Sequence, residues 1–261
     1  MSTLWCQGMF ASGSTWLYNV ALAVANDLEP PLEVAGRFVF GASDAVGLDA
    51  PGVRHIVKAH QARGGVRRYA ESADAILVTL RDPRDAVVSL MQHQRFSFQR
   101  ALLNVCHAAE ACFLLGANPR AVTLHYELGF IDDPETIDGV ARLMGGTVSR
   151  ERRDDIFRST RRPAIEAFIA RLDKYPTTII DRDGDIYDRA SHWHRHHSGR
   201  SGEIGRWRRM LYPAQVDGIE TALRDWMECF GYRLAYTVRN SRRRATGLPG
   251  ETQEGIGKRP R

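Results

Sequence analysis

Apolar positions along this chain fall into short blocks with two different spacings. Residues 3 to 9, TLWCQGM, form a compact apolar run, and STWLYNVALAVANDL after it carries apolar side chains three and four apart, which predicts a strand, a Gly/Ser loop and a helix. VRHIVKAH (53–60) reads as a second strand and ADAILVTLRDP (73–83) as a third. The third is apolar at successive positions, as a strand buried on both faces of a parallel sheet requires. RDAVVSLMQHQ follows as a helix. AVTLHYE is a fourth strand, succeeded by an Asp-rich turn and the helix PETIDGVARLMG, whose Pro134 suits a first turn. Residues 163–173 read as another helix and YPTTIIDRDGDIYD as an irregular, partly exposed stretch. PAQVDGIETALRDWMECFGY is an amphipathic helix with Gly231 near its end. Strands alternating with helices predict an α/β fold, a P-loop-like parallel sheet flanked by helices with right-handed crossovers.

Length and charge narrow this picture without naming a function. At 261 residues the chain can bury a sizeable core. With no internal repeat and no linker before residue 239, residues 1–238 read as a single domain. The net charge of +5 sits in residues 239–261, which carry seven Lys or Arg against two Glu, while the rest balances at 29 of each sign. That tail is poor in apolar residues and holds several Gly and Pro, so it is expected to stay disordered and solvated, which removes most of the case for a specific nucleic-acid partner. Cys6, Cys106, Cys112 and Cys229 form neither a CxxC pair nor a regular spacing and read as reduced, mostly packed thiols. No apolar run reaches ~18 residues and no secretory start is evident, so no membrane span and a cytoplasmic location are expected.

Three stretches are built to meet anions. Gly8, four residues, Gly13 and then Ser14 and Thr15 have the spacing of a phosphate loop, with Ser14 where a nucleoside-triphosphatase has lysine. Such a turn aims backbone N–H groups and the positive end of a helix dipole at an anion, and Ser12, Ser14 and Thr15 add hydroxyls. In TLRDPRDAVVSL, Arg81 ends a strand and Ser89 lies eight residues on, a fork and a hydroxyl suited to phosphate. The bland alternative is a surface Arg81–Asp82 or Arg84–Asp85 ion pair. In HHSGRSGEIGRWRRML, two closely placed glycines beside arginines let backbone approach a ligand, and Trp207 can fix the loop.

Taken in order, these stretches resemble the sulfotransferases that use 3′-phosphoadenosine 5′-phosphosulfate (PAPS). The family's P-K/R-S-G-T/S-T-W loop is matched by Phe10, Ala11, Ser12, Gly13, Ser14, Thr15 and Trp16; its Arg-then-Ser pair by Arg81 and Ser89; its R-x-G-x-x-G-x-W segment by Arg200, Gly202, Gly205 and Trp207. VKAH resembles the family's K-T-H, and LHYEL followed by DDPE resembles Y-E-D-L with DPE after it. The resemblance implies a three-layer sulfotransferase-type fold and transfer of a sulfuryl group to a hydroxyl or amine of a small-molecule or carbohydrate acceptor, leaving adenosine 3′,5′-bisphosphate. It implies Lys58 and His60 as catalytic residues, the loop 12–16 around the 5′-phosphosulfate, Arg81, Ser89 and Arg200 at the 3′-phosphate, Ser201 and Gly202 among the cofactor-binding residues, Tyr126 near the nucleotide, and Ser159 near the adenine. No metal is implied. The short layout resembles soluble bacterial members of the family.

One position departs from the pattern: Ala11 stands where the family has a lysine or arginine. A PAPS-binding protein of weak or no transfer activity is therefore a second expectation, and a P-loop kinase a third that the missing loop lysine disfavours. SHWHRHH holds four of the nine histidines, His192, His194, His196 and His197. With no cysteine or carboxylate inside the run, it reads as a pocket wall and not as a zinc site. DRDGDIYD has its glycine too early for a calcium loop.

Overall fold

The computed structural model describes residues 2–29, 31–180, 184–197 and 202–235. Its centre is a five-stranded parallel sheet in the order β2-β3-β1-β4-β5, formed by β1 (Thr3–Gly8), β2 (Glu33–Val39), β3 (Val53–Ala59), β4 (Ala75–Leu80) and β5 (Ala121–His125). The central strand and its two neighbours are nearly continuous in buried residues, which is why the sequence shows them as unbroken apolar runs. Alternate residues feed opposite faces. Leu4 and Cys6 join one cluster with α1 (Ser14–Asp27), α5 (Glu135–Leu143) and α6 (Arg150–Thr160). Trp5, Val57 and Ile76 join the other, with α3 (Pro83–His93), α4 (Phe98–Gly116) and α9 (Pro213–Cys229). Helix, sheet and helix thus make the three layers expected of this fold class.

The sequence pattern anticipates four of the five strands. β2 escaped because it lies at the sheet edge, half exposed, with Gly36 in its middle. That glycine is a packing requirement: a Cβ there would lie 2.3 Å from the Tyr18 hydroxyl. Helices α2 (Gly65–Ser72), α4 and α6 also go beyond the elements the sequence pattern predicts. The helix expected over 163–173 is shorter, α7 (Arg162–Ile169), followed by a 3-10 turn at Leu172–Lys174. The stretch expected to be irregular folds into a small antiparallel pair, β6 (Thr178–Ile180) with β7 (Ile186–Asp188).

A buried ionic network joins α3 to α9. Arg84 donates to Asp82 Oδ2 at 2.7 Å and to Glu220 Oε1 on α9 at 2.6 Å, and stacks over Trp207 at 4.0 Å. Arg81 lies 3.9 Å from Asp85, which also accepts from the backbone N–H groups of Gly205 at 2.6 Å and Trp207 at 2.9 Å. The surface pairs Arg81–Asp82 and Arg84–Asp85 are thereby corrected: the pairing is crossed, and all four side chains are buried. Trp207 opens the short helix α8 (Trp207–Met210) and packs into the core. Cys6 and Cys112 are buried, Cys106 half-buried and Cys229 exposed, all free. No described helix is long and apolar enough to cross a membrane. The basic tail 239–261 lies outside the described residues.

Candidate functional site

The carboxyl ends of β1, β3 and β4 open into a cleft of about 1060 Å³. Its lining includes Ala11, Gly13, Ser14, Thr15, Trp16, Lys58, His60, Arg81, Ser89, Tyr126 and Gly202. Pockets for small ligands occupy ~300–1,000 Å³, so this cleft stands at the upper end of that range.

The loop after β1 is held by tight contacts. Gly8 has no space for a side chain, since a Cβ would lie 2.4 Å from Ser14 Cβ, and Gly13 sits in the left-handed region at φ +80. Ala11 is also left-handed, at φ +57. Ser12 has a different job from the one its position suggests: its hydroxyl donates to Met9 O at 2.6 Å and lies 2.7 Å from Thr79 Oγ1, fully buried, so it braces the loop and does not line the cleft. Ser14, Thr15 and Trp16 start α1 on the cleft side, where the first N–H groups of a helix have no intrahelical acceptor. Trp16 packs edge-on against Phe130 at 5.9 Å.

Lys58 and His60 meet at the end of β3. Lys58 Nζ lies 3.4 Å from His60 Nε2 and 4.3 Å from the centre of the Phe38 ring. Burial lowers the Lys58 pKa to about 7. The His60 ring stacks on Phe10 at 4.4 Å, and its Nδ1 lies 2.8 Å from Gly8 O. A carbonyl only accepts, so Nδ1 carries the proton and Nε2 presents a lone pair beside Lys58. Burial first, and then the charge of Lys58, hold the His60 pKa well below the usual imidazole value. His60 is therefore neutral, the form a proton acceptor needs.

Arg81 ties three segments together. Its guanidinium donates to Ala11 O at 2.7 Å and Glu203 O at 2.8 Å and lies 4.5 Å over the Tyr126 ring. Tyr126 in turn donates to Gly202 O at 3.1 Å, and a Cβ on Gly202 would meet that hydroxyl at 2.4 Å. Ser89 lies two turns along α3 and also faces the cleft. Arg200 and Ser201 lie outside the described residues. Ser159 is exposed and its hydroxyl turns back to Ile156 O at 2.9 Å; Thr160, Arg161 and Arg162 line the cleft in its place.

Several lining groups had no legible sequence signal. Phe38 arrives on β2 and Phe40 just past its end, His93 on α3, and Asp185 from the segment before β7. Asp185 meets the histidine run: its Oδ2 lies 2.7 Å from His194 Nδ1 and 3.3 Å from His196 Nδ1.

The fold around this cleft is sulfotransferase-like. Retinol dehydratase in complex with androsterone and the inactive cofactor PAP superposes with a TM-score of 0.59 at 15% identity, over 86% of this chain and 80% of that one. The same enzyme with retinol and PAP gives a TM-score of 0.58 at 16% identity over 86% and 81%. Mouse sulfotransferase SULT7A1 complexed with PAP also gives 0.58 at 16% identity, over 87% and 85%. No family model matches the sequence, and no curated protein matches it either.

Proposed function

We propose that this protein transfers a sulfuryl group from PAPS to a hydroxyl or amine of a small-molecule or carbohydrate acceptor bound in the cleft. The observation that carries the reading is the Lys58–His60 pair beside the Gly8–Gly13 loop, in one cleft with Arg81 and Ser89, on a fold shared with PAP-bound proteins. The hydrogen-bonding groups fit such a nucleotide: the start of α1 with Ser14 and Thr15 for the 5′ group, Arg81 and Ser89 for the 3′-phosphate, Tyr126 alongside.

In transfer, the acceptor oxygen forms a bond to sulfur as the bond from sulfur to the bridging oxygen breaks, and His60 Nε2 receives the acceptor proton. Protonated Lys58 and the N–H groups of the loop hold the charge that stays on the departing phosphate. Bringing an anion to Lys58 favours its charged form, which burial alone disfavours. Phe10, Phe38, Phe40 and Phe96 line the cleft and suit an acceptor with an apolar face.

Ala11 favours a second reading, a PAPS-binding protein with slow transfer, because the loop offers no cation of its own. Incubation with radiolabelled PAPS and a panel of phenols, alcohols and sugars tests the choice. Label should pass to an acceptor with the wild type and be lost with His60→Ala, which should still bind adenosine 3′,5′-bisphosphate. Binding without transfer to any acceptor would favour the second reading, and full turnover by His60→Ala would remove His60 as the base.

A further inference from the structure

We propose that Asp185, His194 and His196 form a divalent transition-metal site in the wall of the cleft, with an exchangeable position toward its interior. The three side chains each offer one ligand atom, and these atoms lie within 4.8 Å of one another. Tetrahedral zinc with bonds of ~2.0–2.2 Å places its ligand atoms about 3.4 Å apart. The separation of Asp185 Oδ2 from His196 Nδ1, 3.3 Å, already matches, and that from His194 Nδ1, 2.7 Å, needs only a small opening.

A buried nitrogen beside the ligands strengthens the assignment. His93 Nε2 has no hydrogen-bond partner among the described residues, and its ring lines the cleft stacked 5.4 Å from that of His196, whose Nδ1 faces Asp185 Oδ2. A buried imidazole nitrogen without a partner is unfavourable and calls for an ion or ligand group in this wall of the cleft. The surroundings hold the ligands in place. Tyr187 on β7 bridges to the backbone of His194 and stacks on its ring at 4.9 Å, while Asp188 accepts from Ser191 N at 2.7 Å and Ser191 Oγ at 2.6 Å to fix the turn between them.

The ligand set selects the metal. Two imidazoles and one carboxylate suit zinc and its first-row neighbours, whereas calcium and magnesium prefer oxygen throughout. Three protein ligands with a fourth position open is the arrangement of zinc sites that take an exchangeable ligand. Here Asp185, His194, His196 and His93 all face the cleft, so an oxygen of a bound small molecule can fill that position. The ligands are different residues from Lys58, His60 and the phosphate loop, and metal binding can be measured without PAPS, so the site does not depend on the proposed transfer.

The test uses the full chain without a histidine tag, stripped with chelator and titrated calorimetrically with Zn²⁺ and spectroscopically with Co²⁺. One equivalent should bind, and His194→Gln/His196→Gln should weaken binding by more than the ~10- to 100-fold loss of a group that only supports a ligand. Circular dichroism checks that the variant folds. If it does not, the Co²⁺ spectrum of the wild type decides: a four-coordinate spectrum without a thiolate charge-transfer band supports the site. Binding that survives the double substitution, a thiolate band, or no stoichiometric binding would overturn it.

Discussion

If Lys58 meets the phosphosulfate, binding the nucleotide must take up a proton. The Lys58 residue is 2% exposed, its ammonium faces the Phe38 ring and His60, and burial brings its pKa from 10.5 to about 7. That displacement corresponds to on the order of 5 kcal/mol disfavouring the charged form. Since the unfolded chain keeps Lys58 protonated up to the higher value, stability should rise with pH between about 7 and 10.5, and Lys58→Met should flatten that rise. An anion placed against Nζ restores the charge. For a site with pKa about 7 when free and fully charged when bound, uptake is about 0.1 proton at pH 6, about 0.5 at pH 7 and about 0.9 at pH 8. Calorimetric titration with adenosine 3′,5′-bisphosphate in phosphate and Tris buffers, which differ in ionisation enthalpy, reads this number directly. Uptake near zero at pH 8, or equal uptake in Lys58→Met, would refute the assignment of Lys58 to the nucleotide.

Three further substitutions test other parts of the account. Arg81→Ala should weaken adenosine 3′,5′-bisphosphate by about 10- to 100-fold, the worth of a charge-assisted contact, and adenosine 5′-monophosphate much less; equal losses would remove the 3′-phosphate assignment. Glu220→Ala leaves Arg84 with Asp82 alone and removes the acceptor for Ala235 N at 2.8 Å, so urea unfolding should show a loss near 3 kcal/mol, and a loss below 1 kcal/mol would contradict the network. Ala11→Lys should raise the transfer rate if the missing loop cation limits it, by up to ~10²-fold; an unchanged rate would mean that Lys58 already supplies the charge.

What the sequence disclosed depended on whether the signal was local. The loop from Gly8 to Trp16 was legible because turn, helix start and anion-binding groups follow one another in the chain. β4 was legible because burial on both faces leaves it apolar throughout. β2 was not, because an edge strand that must admit the Tyr18 hydroxyl beside Gly36 keeps neither a continuous nor an alternating pattern. Missing it also hid Phe38, whose ring lies against Lys58 and, at 4.8 Å, against His192. The role of Ser12 depended on a buried partner 67 residues away, Thr79. Asp185 could be joined to His194 and His196 only once β7 folded the intervening residues back on themselves.

The central claim, a site for a 3′-phosphorylated nucleotide in this cleft, is tested most directly by titrating the protein with adenosine 3′,5′-bisphosphate, adenosine 5′-monophosphate and ATP under identical conditions. Preferential, one-to-one binding of the bisphosphate is the predicted result. Preference for ATP, or no binding of any of the three, would contradict it.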